Sequence, residues 1–194
     1  MRYQTLLLFG APGSGKGTQG KILGSIPNYF HCACGDVFRN LRIDSELGKI
    51  FIKYSSMGQL VPDEPTIRLW RENIQAQTLL GRFNPEVDTL VLDGIPRNPN
   101  QAEMLKDTLE VHAVFNLGCN NLDKLVERLQ RRALRENRLD DANLETIRQR
   151  LQTYERETKP VLEYYGAKLV HAIDSNQSPI NVLRDILRHL ATLS

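Results

Sequence analysis

Apolar residues along this chain fall alternately into short continuous runs and into spaced stripes. Thr5-Leu6-Leu7-Leu8-Phe9 is a continuous run that stops at Gly10. It is too short for a helix of ordinary length, and it predicts a strand buried on both faces. Asp88 to Leu92, Val111 to Leu117 and Lys168 to Ile173 are further strand candidates of the same kind, rich in Val, Leu and Phe. Between the runs the spacing changes to three and four. Asn98-Pro99 supplies a capping residue and a proline at the first helical position, leading into Asn100 to Leu109. Ser178-Pro179 repeats that signature before Ile180 to Leu193. Asn120 or Asn121 is placed to cap a helix with the stripe Leu122, Leu125, Val126 and Leu129. Asn143 to Tyr165 reads as helix, kinked or broken at Pro160.

From Asp36 to Gly81 the pattern is helical throughout. Gly58 and the Val61-Pro62-Asp63 turn separate Ser45 to Met57 from a helix through Ile67, Trp70, Ile74 and Leu79. Alternating strands and helices elsewhere predict an α/β fold, a parallel sheet flanked by helices, and the 36–81 stretch reads as a helical excursion from it.

Composition bounds this picture without changing it. The 194 residues suit one domain, 1–194, with small insertions. The 41% hydrophobic and 25% charged content excludes disordered, collagen-like and disulfide-scaffold classes. No apolar run approaches the roughly 18 residues of a membrane span, so no membrane partner is expected. The first ten residues lack the long apolar core and cleavage site of a signal peptide. A net charge of +2 is too small to argue for nucleic acid. Cys32 and Cys34 are one residue apart, which suits neither a zinc knuckle nor a C-x-x-C redox pair. With Cys119 they make an odd set, and a cytoplasmic setting is expected. Cys119 itself reads as a small buried apolar residue.

The strongest chemical signal is Gly10-Ala11-Pro12-Gly13-Ser14-Gly15-Lys16-Gly17-Thr18-Gln19, between a predicted strand and a predicted helix. Glycines let such a loop curl until successive backbone N–H groups face one anion. Lys16 adds a mobile cation, and the following helix directs its positive end to the same place. Gly17 stands where phosphate loops usually carry a Ser or Thr that ligates Mg²⁺, which disfavours ordinary GTPases and ATPases; Thr18 can still bond a phosphate oxygen.

A second group sits after the Asp88–Leu92 strand: Asp93-Gly94-Ile95-Pro96-Arg97. Ligands in open α/β sheets collect at such carboxyl ends. Asp93 is placed to organise Mg²⁺ through water, and Arg97 to grip a phosphate with its planar fork. Arg128 and Arg132 then share a helix face, with Arg131 close to it, and Arg138, Arg148 and Arg150 follow. Such a run by itself is commonly a solvated helix face. Beside a phosphate loop it fits phosphoryl transfer, which needs many cations around spreading oxygen charge.

Taken together these segments resemble the adenylate kinase family. Residues 10–19 look like its phosphate loop. His31-Cys32-Ala33-Cys34-Gly35-Asp36-Val37-Phe38-Arg39 and Gly58-Gln59-Leu60-Val61-Pro62-Asp63-Glu64 resemble the segments that open and close its monophosphate-binding region. Asp93 to Arg97 with Gln101-Ala102 resembles its monophosphate and adenine contacts. Arg138-Leu139-Asp140-Asp141, Glu145-Thr146-Ile147 and Arg150-Leu151 resemble its lid and following helix. The matches run in family order from residue 5 to beyond residue 165.

The resemblance implies a parallel sheet of the P-loop NTPase type, with a helical monophosphate-binding excursion at 36–65 and a short lid at 132–142. It implies ATP + AMP ⇌ 2 ADP by direct in-line transfer with Mg²⁺. Gly13, Ser14, Gly15, Lys16, Gly17 and Thr18 would hold the ATP phosphates, and Arg128 would pack over the donor adenine, an arrangement cation–π attraction favours. Cys34, Arg39, Val61, Gly94, Arg97 and Gln101 would hold AMP. Arg132, Arg138 and Arg150 would converge, with Lys16 and Arg97, on the transferred phosphoryl group; Arg132 would also touch ATP, and Arg138 and Arg150 AMP. Asp93 and Asp36 would organise Mg²⁺ through water. Only Ala133 to Asn137 separates Arg132 from Arg138, so there is no room for the zinc-bearing module of long-lid relatives, and no zinc is expected. A monomer is the default, with two flaps closing over the substrates to exclude water.

Some positions depart from the family pattern. Cys34 and Ala33 replace a usual threonine and serine, and Ile95 a usual phenylalanine. Asn98 is similar to the uridylate–cytidylate kinases of the same fold, and Asn100 adds to that alternative. Gln101 argues for adenine, since an amide can pair bidentately with its edge. A catalytically silent nucleotide-binding module is the reading of a different class.

Overall fold

The computed structural model of the chain describes residues 2–136, 138, 141 and 143–192. Leu139 and Asp140, residues 137 and 142 of the expected lid, and Met1, Leu193 and Ser194 lie outside the described residues. In chain order the elements are β1 (Tyr3–Phe9), α1 (Lys16–Leu23), β2 (Tyr29–Ala33), α2 (Cys34–Arg39), α3 (Glu46–Ser56), α4 (Asp63–Leu79), β3 (Thr89–Asp93), α5 (Pro99–Leu105), β4 (Leu109–Gly118), α6 (Leu122–Glu136), α7 (Leu144–Thr153), α8 (Val161–Tyr165), β5 (Val170–Asp174) and α9 (Pro179–Leu190).

The five strands form one parallel sheet in the order β2-β3-β1-β4-β5. Every residue of β1 from Thr5 to Phe9 is buried, as a central strand covered on both faces requires. Alternate residues serve opposite layers. Leu7 and Phe9, with Leu90 and Leu92 of β3, pack against Trp70 and Ile74 of α4, Leu105 of α5 and Val161 of α8. Leu6 and Leu8 face the other way, with Leu23 of α1 and Val182 and Ile186 of α9. A third cluster, Leu125, Leu129, Ile147 and Leu151, joins α6 to α7.

The strand order positions the site. From β1 the chain passes to the β2 edge, whereas from β3 it crosses to β4. Neighbouring strands whose connections leave in opposite directions open a crevice at their carboxyl ends. The loops after β1 and β3 are the glycine-rich loop and the Asp93–Arg97 segment.

Capping follows the sequence signals. The side chains of Ser45, Asn98, Asn121 and Asn143 accept from Gly48, Gln101, Lys124 and Glu145 N–H at 3.0, 2.7, 2.9 and 2.8 Å. Ser178 stands at the N-terminus of α9 without a side-chain cap bond. Other expectations need correction. The helix begun at Pro99 ends at Leu105, and Leu109 already starts β4. Leu79 is exposed rather than on the buried stripe, because five residues beyond Ile74 turn the helix about 140° off that face. Cys119 is half-buried, and its thiol donates to Asn176 Oδ1 at 3.1 Å. The break near Pro160 begins earlier, at a wide turn over Tyr154–Thr158 where Lys159 N–H reaches back five residues to Tyr154 O at 2.9 Å. Pro160 has no N–H to offer the Arg156 carbonyl, so the regular ladder cannot continue.

The strand that patterning missed is β2. Tyr-Phe-His-Cys-Ala has no aliphatic run, and only Cys32 of it is buried. As an edge strand it is fixed by packing: a Cβ at Gly20 of α1 would overlap the His31 ring, and one at Gly24 would come within 2.5 Å of His31 Cβ. We expect Gly20→Ala to destabilise the fold by about 1–3 kcal/mol through this overlap. In a His31→Ala background the same change should stabilise by up to about 1 kcal/mol, the ordinary helical advantage of alanine. Urea denaturation of the four proteins tests this; the same sign in both backgrounds would refute it.

Candidate active site

The glycine-rich loop joins the end of β1 to the start of α1. Gly13 (φ +84°) lies under α6, where a Cβ would stand 2.9 Å from Leu125 O. Gly15 (φ +102°) is the left-handed residue that turns the loop into α1. Lys16 follows, and its Nζ donates back to Gly10 O at 2.7 Å and Ala11 O at 3.2 Å. Ser14 is buried, and its Oγ has no hydrogen-bond partner among the described residues.

Across the crevice Asp93 ends β3. Its Oδ2 would be 3.6 Å from a Cβ at Gly17, so the carboxylate faces the first turn of α1. Arg97 is braced on its own turn, Nε donating to Gly94 O at 2.8 Å. From α6, Arg128 reaches Ser175 O at 3.0 Å and Gly13 O at 3.4 Å, tying the loop to the turn after β5. Arg132 of α6 and Arg150 of α7 both bind the fully buried Asp141. Arg138 reaches Asp36 of α2 at 3.3 Å and Glu136 at 2.5 Å, and Asp36 also receives Arg39 at 3.0 Å.

These groups surround one cavity of about 540 Å³. The residues that the resemblance assigns to ATP, AMP, the transferred group and Mg²⁺ line it: Gly13 to Thr18, Cys34, Asp36, Arg39, Val61, Asp93, Gly94, Arg97, Gln101, Arg128, Arg132, Arg138 and Arg150; Arg148 of the basic run does not. Basic side chains outnumber acidic ones. Their mutual effect is visible at Lys16, whose pKa falls to about 8: burial lowers it most, Asp93 opposes, and Arg97, Arg132 and Arg150 lower it further. Burial likewise pushes the Cys34 thiol up to about 11, so it faces the cavity as a neutral group.

Three amides at the far end have a common partner. Asn98 Nδ2, Asn100 Nδ2 and Gln101 Nε2 donate to the Asp63 carboxylate at 2.8, 2.7 and 2.8 Å. Neither Asn98 nor Asn100 lines the cavity, so the two residues behind the pyrimidine alternative face away from it. Sequence reading also passed over Phe38 and Phe51, stacked at 5.2 Å on the cavity wall, and the turn Ser175 to Pro179. The turn's position at the carboxyl end of β5 was the available signal. The Phe pair joins two helices, and nothing local in the sequence announces it. Among the described residues no group of three or more His, Cys, Asp or Glu is placed to hold a metal ion, and no helix is long and apolar enough to cross a membrane.

Comparison with known proteins points the same way. The profile described as adenylate kinase matches residues 8–170. An adenylate kinase of Corynebacterium urealyticum is 37% identical over 179 residues, covering 89% of this chain and 91% of the relative. That of Corynebacterium diphtheriae is 39% identical over 166 residues, covering 85% and 87%. That of Flavobacterium psychrophilum is 34% identical over 193 residues, covering 96% and 95%.

Burial of Lys16 among cations has a measurable consequence. A lysine whose pKa is depressed from 10.5 to about 8 on folding opposes the fold fully below pH 8, and the penalty fades as pH rises towards 10.5. We expect Lys16→Met to stabilise the ligand-free protein at pH 7 by roughly 2 kcal/mol, allowing for the two carbonyl bonds lost. The gap to wild type should shrink and change sign between pH 8 and 10.5 in denaturant titrations, as the charge penalty fades and the two lost carbonyl bonds remain. A gap independent of pH would refute the depressed pKa of Lys16.

Proposed function

The chain belongs to the adenylate kinase family, and from that premise we propose that its cavity transfers the terminal phosphoryl group of ATP to AMP, reversibly, giving two ADP. The observation that carries this reading is the convergence of Lys16, Arg97, Arg132 and Arg150 on the wall of one cavity; burial lowers the Lys16 pKa most, and the three guanidiniums add to it. Cations gathered against their own repulsion suit two polyanions brought end to end.

In this reading the loop amides of Gly13 to Thr18 hold the donor phosphates, with the unpartnered Ser14 hydroxyl as a further donor. Lys16 turns from the Gly10 and Ala11 carbonyls to the phosphate oxygens. Arg128, beside Ser175, lies along the donor base. Arg39 and Arg97 grip the acceptor phosphate, while Cys34, Val61, Gly94 and Gln101 line the acceptor base and ribose. Arg132, Arg138 and Arg150 leave Asp141 and Asp36 in part to follow the charge that spreads over the moving phosphoryl group. No side chain acts as a nucleophile; positioning and electrostatics supply the rate.

Magnesium fits this residue set. Gly17 withholds the usual hydroxyl ligand, and the carboxylate facing that position, Asp93, with Asp36 across the cavity, suits an ion kept in its water shell. Bound with ATP, it would neutralise phosphate charge. The 36–65 excursion and the 132–142 segment are proposed as the flaps that exclude water.

A coupled assay with ATP–Mg²⁺ and AMP tests the reading. We expect ADP formation, and a loss of at least about 10³ in kcat for Lys16→Met. Because Lys16 in the free protein titrates at about 8, kcat/KM for ATP should be level below that pH and fall about tenfold per unit above it. Bound phosphate raises the lysine's pKa, so kcat should hold to higher pH. Full turnover by Lys16→Met, or CMP outperforming AMP, would overturn the proposal.

A further inference from the structure

Gln101 is buried on α5 and lines the cavity. Its amide is held at both polar atoms. Oε1 accepts from Arg97 N–H at 2.8 Å, and Nε2 donates to Asp63 Oδ1 at 2.8 Å. Turned over, the amide would set its oxygen against a carboxylate and its NH₂ against an N–H. Both contacts would be repulsive, so one orientation is selected.

Asp63 is suited to enforce this. It opens α4, and it does not line the cavity, so it meets a ligand only through Gln101. Burial pushes its carboxyl up, but the amides of Asn100, Asn98 and Gln101 outweigh that and hold it below the usual carboxylate range. It is therefore ionised at neutral pH and can only accept.

We propose that Asp63 is a positioning residue that decides which class of base the acceptor cavity takes, by locking the polarity of the Gln101 amide. A primary amide has two N–H donors and two carbonyl lone pairs. Asp63 and Arg97 use one of each, leaving one donor and one acceptor in fixed order for a ligand. That order is complementary to a base with an amino group beside a ring-nitrogen acceptor, as in adenine and cytosine. It opposes a base with an oxo group beside a ring N–H, as in hypoxanthine, guanine and uracil. A site built on hydrogen bonds rejects the wrong polarity strongly, because buried groups are left unpaired.

The inference rests on the proposed role of Gln101 at the acceptor base, and the test separates the two. AMP and IMP differ at this edge alone, as do CMP and UMP. Their dissociation constants are measured by calorimetry, without ATP, on the wild-type chain and on Asp63→Asn; turnover of ATP with AMP is measured separately. Wild type should bind AMP at least tenfold tighter than IMP, and CMP tighter than UMP. In Asp63→Asn, whose amide can face Gln101 either way, AMP should weaken and IMP should tighten, narrowing the ratio at least fivefold. A merely structural role would weaken both alike; an unchanged ratio overturns the proposal, as does a wild type without the amino preference. If Asp63→Asn does not fold, as judged by its melt, Asp63→Ser carries the same expectation. Asp63-dependent ratios without any turnover would sink the kinase reading and leave this one standing. Turnover with unmoved ratios would do the reverse.

Discussion

Like charges brought together in a crevice are the constraint on which the rest of this structure depends. Lys16, Arg97, Arg132 and Arg150 come from four different segments, and the three guanidiniums each lower the Lys16 pKa. Left alone, such a set would drive its segments apart. The sheet prevents this by geometry: β1 and β3 are hydrogen-bonded neighbours, with Leu7 opposite Leu92 and Leu8 opposite Asp93, so the Lys16 loop and the Arg97 turn leave from adjacent strand ends. The buried aliphatic layers on both faces of those strands hold the cations where their own electrostatics would not.

Carboxylates complete the balance, and each joins distant parts of the chain. Asp141 holds Arg132 of α6 and Arg150 of α7, which cluster through Leu129 and Ile147 below. Asp36 of α2 holds Arg39 beside it and Arg138 from beyond α6. A carboxylate shared by two guanidiniums keeps both in orientation. The arginines are thus set in direction before any phosphate arrives, which is where positioning contributes most to phosphoryl transfer.

How much of this the sequence disclosed follows from how local each feature is. The phosphate loop was legible because strand, glycines, lysine and helix are contiguous from Thr5 to Leu23. Four strands were legible because buried parallel strands are continuous aliphatic runs. β2 was not, because an edge strand held by one buried cysteine and by His31 against two glycines has no pattern of its own. The arginines were legible as a set, but their counterions only in part. Asp141 could be read as a partner in the lid; that it serves two arginines nine residues away on either side is a property of the fold. Asn98 and Asn100 show the limit most plainly. Their residue type suggested contact with a base, and Asp63, 35 positions before Asn98 in the chain, turns them away from the cavity.

The segment after α3 is bound to α7 by a contact that side-chain chemistry alone would not suggest. Gly58, at the exit of α3, packs on α7, where a Cβ would stand 3.0 Å from Arg150 N and from Thr146 O. Thr153 Oγ1 donates to Gly58 O at 2.9 Å, and Thr146 Oγ1 to Ser56 O at 3.2 Å. Val61 on the cavity wall lies three residues beyond Gly58, and Arg150 is presented by the helix beneath it. The segment that carries Val61 and the helix that carries Arg150 therefore share one frame of reference. A side chain at Gly58 would wedge that frame open, and its positive φ of 67° excludes most other residues in any case. The alignment of Val61 with Arg150 across the cavity is in this way built into backbone packing at Gly58.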